Sequence, residues 1–203
     1  MLEDVLRLRP AYDLKHIPRN SWCRYHDEKD GVTYKRRETV AEHVFSCLRL
    51  AQYFLTLPEF EGLDQLRVHE LLLYHDDAEV ITKDIGISMR TDREGKQERE
   101  EEAVALLTKQ YPSSIGRKLE SLCSEYTQHT TPEAKFATAV DKFDALLHEV
   151  PYPQDWSPHG FDEANTRAWF QPAFSYSPTF STYFEELVLY LRANGHFGSI
   201  LPE

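Results

Sequence analysis

Residues 71–80 read "LLLYHDDAEV", and this stretch decides the fold class. An apolar run, Leu71 to Tyr74, leads into His75 and Asp76, two side chains that bind metals. Burying a carboxylate costs several kcal/mol unless something pairs with it, and the run offers no polar partner. A divalent cation resolves the conflict, and the chain holds further ligands in helical settings. His43 lies upstream in "TVAEHVF" (39–45) and Asp141 downstream in "AVDKFDALL" (139–147). Divalent metals in hydrolases take histidine and carboxylate ligands with positions left open for water and substrate. His43, His75, Asp76 and Asp141 supply two nitrogens and two carboxylates, which leaves two places of an octahedron. The set suits one divalent metal ion: Mn²⁺, Co²⁺, Fe²⁺, Zn²⁺ or, less comfortably, Mg²⁺.

Outward from that stretch, almost every periodic segment has the 3.6-residue pattern, with no internal repeat and no low-complexity run. The expected fold class is therefore all-α, a helical bundle with a Pro/aromatic-rich C-terminal arm. Thr39-x-x-Glu42 is a capping box that starts a helix running to about Leu57, with Val40, Val44, Leu48, Ala51 and Leu55 on its apolar face. A second helix, Leu63 to Thr82, carries His75 and Asp76, and its LLLY run implies a central, buried position. Thr131-Pro132 is an N-cap followed by proline at the first helical position. It opens a helix to about Glu149 that points Phe136, Val140, Phe143 and Leu147 to the core. Ala137, Asp141, Asp144 and His148 form a separate stripe on the same helix.

The remaining segments frame these. A short helix covers 2–9, a polar loop 15–38, a highly charged helix 93–110, and a helix after Pro112 packs Ile115, Leu119 and Leu122. Between Pro151 and Pro178 five prolines and seven aromatics make an irregular arm with a short helix near 161–170. Its aromatics are read as a plug for one end of the bundle rather than as a ligand box. A final helix, Thr179 to Asn194, closes at Gly195.

Composition narrows the function. At 203 residues the chain is expected to be one domain over 1–203, with a core at about 14–150 and the arm and closing helix at 151–203. A net charge of -11 argues against wrapping long nucleic acid. Locally the balance reverses, because seven basic residues face three acidic ones between Lys15 and Arg37. That segment is either a solvated loop or an anion-attracting flap. The three cysteines form no CxxC pair, so neither a zinc knuckle nor a disulfide framework is expected, and Cys47 reads as a small buried hydrophobe. The N-terminus "MLEDVLRLRP" is too short and too charged for a signal peptide, and no apolar run reaches membrane-spanning length. The expected setting is cytoplasmic.

Two further acids stand near the His-Asp pair. Glu79 follows His75 by one helical turn, where a carboxylate can take a proton from an attacking water or aim it. Asp84 opens "DIGISMR" (84–90), where Gly86 and Ser88 offer amides and Arg90 a cation for a phosphate.

The order H…HD…D resembles that of the HD-domain metal-dependent phosphohydrolases. Within that superfamily "PRNSW" (18–22), "YHDDAEVITKDI" (74–85) and "AVDKFDALL" look most like the bacterial 5′-deoxyribonucleotidases and their eukaryotic HD-domain relatives. The similarity covers roughly 14–150. It implies an all-helical, homodimeric enzyme that removes the 5′-phosphate from deoxyribonucleoside monophosphates, with a small nucleotide as its partner. By motif position it makes His43, His75, Asp76 and Asp141 the metal ligands and Glu79 the essential acid. It gives Asp84 the sugar hydroxyl and the rejection of ribose. Arg19 and Trp22 fall where the family holds the phosphate and orients the nucleotide, and Ile87 and Arg90 complete the candidate substrate contacts. Here Arg19 and Trp22 are spread apart, the stretch from Trp22 to His43 is long, and the aromatic arm has no obvious counterpart. The other readings are a deoxynucleoside triphosphate triphosphohydrolase, a phosphodiesterase, and a non-catalytic nucleotide-binding or scaffold protein. The last typically loses a ligand or the following acid, and all are present.

Overall fold

The computed structural model describes residues 2–27, 29, 31–84, 94–156 and 161–197. The first long helix begins where the capping box places it. The Thr39 hydroxyl accepts from the Glu42 amide while the Glu42 carboxylate accepts from the Thr39 amide, satisfying two amides that no helical carbonyl reaches.

Along the chain, α1 (Leu2–Leu6) leads into a 3₁₀ stretch over Arg9–His16. Then come β1 (Pro18–Asp27), β2 (Val32–Thr39), α2 (Val40–Phe54), α3 (Gln65–Tyr74) and α4 (Glu79–Thr82). They are followed by α5 (Lys96–Gln110), α6 (Ser113–Gln128), α7 (Pro132–His148), α8 (Pro153–Trp156), α9 (Glu163–Phe174) and α10 (Pro178–Ala193). Among the described residues the bundle is all-α apart from the hairpin β1–β2, and α7 packs against α2, α3, α6 and α9.

One core cluster joins α2, α3, α6, α7, α9 and α10. Phe54, Leu71, Leu72, Phe136, Val140 and Leu146 are fully buried, and Phe174, Phe180 and Phe184 of α9 and α10 close the same cluster. Each such side chain contributes roughly 1.5–3 kcal/mol by leaving water. Trp156, Phe161 and Phe170 join it, so the aromatic arm is core, as its composition suggested.

Five expectations are corrected. The polar loop at 15–38 is an antiparallel hairpin, because Val32, Thr33 and Tyr34 suit a strand and Gly31, at φ +68°, supplies the left-handed turn. The 2–9 helix stops at Leu6, before the 3₁₀ stretch that contains Pro10. The helix expected over 63–82 is two helices. Between them the amides of Asp77, Glu79 and Val80 reach back three residues, to Tyr74, Asp76 and Asp77, a tighter pitch than an α-helix. On α7 it is Leu146 that is buried, while Leu147 is 43% exposed; at the helix end the neighbouring elements cover only one side. Similarly, Leu73 is exposed although Leu71 and Leu72 are not.

Candidate metal centre

Three elements bring the four expected ligands together. His43 comes from α2, His75 and Asp76 from the tight turn after α3, and Asp141 from the middle of α7. The turn after α3 carries these two adjacent side chains, and His75 Nε2 and Asp76 Oδ2 meet at the centre. His43 Nε2 lies 3.1 Å from Asp141 Oδ1 and 3.7 Å from Asp76 Oδ2. His75 Nε2 lies 3.2 Å from Asp76 Oδ2 and 3.9 Å from Asp141 Oδ1. The two imidazoles meet edge to face with centroids 5.5 Å apart.

Both rings are oriented by their other nitrogen. His43 Nδ1 is 2.8 Å from Asp144 Oδ2, and His75 Nδ1 is 2.8 Å from the Leu72 carbonyl. An N–H donated on that side leaves each Nε2 as a lone pair aimed at the centre, the usual preparation of a histidine for a metal. Asp141 is fixed in turn by the Tyr126 hydroxyl and the Lys142 ammonium, each 2.9 Å from its Oδ2. Burial opposes the ionisation of Asp76 and Asp141. Nearby cations and histidines still hold both carboxyls well below the usual range.

The donor set fits a divalent cation. His75 Nε2 is buried and makes no hydrogen bond, although Asp76 Oδ2 lies 3.2 Å from it. His43, His75 and Asp76 each offer a ligand atom within 4.8 Å of the others. Cys47 also reaches this range with His43 and Asp141. Its sulfur, however, sits 3.6 and 3.7 Å from the two nitrogens of the His43 ring, against the imidazole rather than beside the lone pairs. Burial pushes its thiol up to about 12, so it packs as a hydrophobe.

Glu79 opens α4 beside the centre and is buried, with Oε2 lacking any hydrogen bond. Burial, then the charges of Asp76 and Asp84, push its carboxyl up to about 9. Asp84 thus lies near enough to act on Glu79, and it acts on Arg19 as well. Arg19 reaches the centre from β1, its Nη1 3.4 Å from Asp76 Oδ2. Trp22 occupies β1 opposite Arg37, and only its backbone is described. Ile87 and Arg90 lie outside the described residues.

Sequence reading missed Tyr126, Lys142 and Glu38, which fix the ligands or Arg19 from outside. No spacing flags Tyr126 or Glu38, because their partners are far along the chain. Asp144 stood on the right stripe but without a role.

The HD-domain family model matches residues 11–172. The chain belongs to the HD-domain family. Among curated HD relatives it is 33% identical over 145 residues to bovine 5′-deoxynucleotidase HDDC2, and 31% identical to the human protein of that name. The match takes in 71% of this chain and 65% and 66% of those two proteins, so the chain spans less than two thirds of their length. Among solved structures, a predicted metal-dependent phosphohydrolase from Magnetospirillum magnetotacticum superposes with a TM-score of 0.81 at 27% identity, covering 98% of this chain and 95% of that one. This HD fold implies a divalent metal, and the donor set above is where it fits. None of the described helices is long and apolar enough to cross a membrane.

Proposed function

We propose that the chain is a metal-dependent phosphomonoesterase that removes the 5′-phosphate from deoxyribonucleoside monophosphates. The observation that carries the reading is a half-buried cation, Arg19, set 3.4 Å from a carboxylate of the metal-type donor set, so that one anionic group can meet both. Relatives at 31–33% identity that are 5′-deoxynucleotidases support the substrate class.

His43, His75, Asp76 and Asp141 would hold the ion, which when bound lowers the pKa of water and polarises a phosphoryl oxygen. Arg19 holds spectator oxygens of the phosphate by charge-assisted hydrogen bonds. Glu79, with an unpartnered buried oxygen, takes the proton of the attacking water or passes one to the departing sugar oxygen. Trp22 packs on the nucleoside. Asp84 accepts from the sugar 3′-hydroxyl and crowds a ribose 2′-hydroxyl, so that selection works by exclusion. Ile87 and Arg90 complete the substrate contacts in this reading. It also includes one domain over 1–203, a homodimer and a cytoplasmic setting.

A phosphate-release screen over ribo- and deoxyribonucleoside mono-, di- and triphosphates with Mn²⁺, Co²⁺ and Mg²⁺ tests it. The expected result is a deoxy preference at the monophosphate level that Asp84→Ala erases. Faster release of tripolyphosphate from a triphosphate would replace the reading by a triphosphohydrolase.

A further inference from the structure

The strand pairing in the hairpin is uneven. Pro18 pairs with Thr39 and Trp22 with Arg37, so Arg19, Asn20 and Ser21 together face the single residue Glu38. A bulge of this kind re-aims side chains that a regular ladder would alternate between faces.

Glu38 is 3% exposed, and its carboxylate meets three side chains. The Ser21 hydroxyl donates to Oε2 at 2.8 Å, Arg19 Nε stands 3.4 Å from the same oxygen, and His148 Nδ1 stands 3.3 Å from Oε1. Burial works against its ionisation, but His148, Ser21 and Arg19 hold the carboxyl below its ordinary value. The guanidinium is therefore gripped at two points, Nε by Glu38 and Nη1 by Asp76. His148 lies on α7, the helix that carries Asp141, so the grip ties the hairpin to the scaffold of the metal ligands. Tyr152 adds a second tie just beyond, accepting from the Arg24 amide at 3.1 Å while the Arg24 guanidinium lies 4.7 Å over its ring.

We propose that Glu38, backed by His148, is a positioning residue that fixes the Arg19 guanidinium beside the metal ligands for contact with the substrate phosphate. Glu38 itself is a poor phosphate contact, being an anion, so it acts through Arg19. A long arginine side chain loses several rotamers when fixed, and a partner that fixes it beforehand removes that loss from binding. This inference rests on the reading of Arg19 as a phosphate ligand.

The test is a double-mutant cycle on inorganic phosphate binding, measured by calorimetry with the Co²⁺-loaded full-length chain. Glu38→Ala should weaken phosphate binding about 10–100-fold, the worth of a charge-assisted hydrogen bond. In an Arg19→Ala background the same change should cost less than about threefold, since groups acting through one another are not additive. Cobalt stoichiometry should be unchanged in all variants. Glu38→Gln, which keeps an acceptor, and His148→Gln should give smaller losses with the same coupling, and they carry the cycle if Glu38→Ala does not fold. Additive effects, a wild type that binds no phosphate, or a drop in Tm with phosphate affinity intact would each overturn the proposal. Full coupling without deoxynucleotide hydrolysis would remove the proposed function and leave this inference standing. Hydrolysis with additive effects would do the reverse.

Discussion

Asp144 Oδ2 stands 2.8 Å from His43 Nδ1, while Asp141 Oδ1 stands 3.1 Å from Nε2 of the same ring. One turn of α7 thus supplies both a ligand candidate and the group that decides which nitrogen of its neighbour faces it. Without Asp144 the ring can take the other tautomer or turn away. Asp144→Ala should therefore weaken divalent-metal affinity by about 10–100-fold. Titration of the metal-free protein with Co²⁺ measures it, and an affinity equal to wild type would rule the role out.

Glu79 carries the most unsettled carboxylate in the site, buried and with one oxygen unpartnered. Glu79→Gln keeps its shape and should leave fold and metal content intact. It should lower kcat by about 10²–10⁴-fold, the usual contribution of a placed acid or base. A loss below about tenfold with metal retained would take Glu79 out of the mechanism.

Asp77, next to the ligand candidate Asp76, is buried and receives the Tyr111 hydroxyl at 3.3 Å. Burial pushes its carboxyl up to about 7 from an ordinary value of 3.8. The folded state then keeps a proton that the unfolded chain has released, so this group makes stability fall as pH rises from about 4 to about 7, with no further loss above. Asp77→Asn has no such proton. Its stability relative to wild type should climb by a few kcal/mol between pH 4 and 8, a scale set by about 1.4 kcal/mol per unit. Urea unfolding at several pH values, at constant metal, reads the difference; a flat difference would refute it.

On α7, neighbouring leucines separate pattern from packing. Leu146→Ala should cost about 2–5 kcal/mol because it empties a site with no exposure. Leu147→Ala, at a 43% exposed position, should cost less than about 1 kcal/mol. Equal losses in denaturant unfolding would show that the two positions are packed alike.

The sequence by itself determined the parts that depend on local chemistry. The Thr39 capping box, the Thr131-Pro132 start and the 3.6-residue periodicity fixed where α2 and α7 begin and which stripe of α7 carries Asp141 and Asp144. The candidate ligand set was legible because a His-Asp pair in an apolar run calls for a charged partner, and the fold brings the four side chains together. Tertiary structure alone decided the rest. The tight turn that carries His75 and Asp76 has the composition of a helix, and the break between α3 and α4 shows only in its backbone hydrogen bonds. Arg19 meets Glu38 across the bulge, and Glu38 in turn meets His148, more than a hundred positions away. A network whose partners meet only after folding leaves no spacing to read, because its energy lies in contacts between elements and not along any one of them.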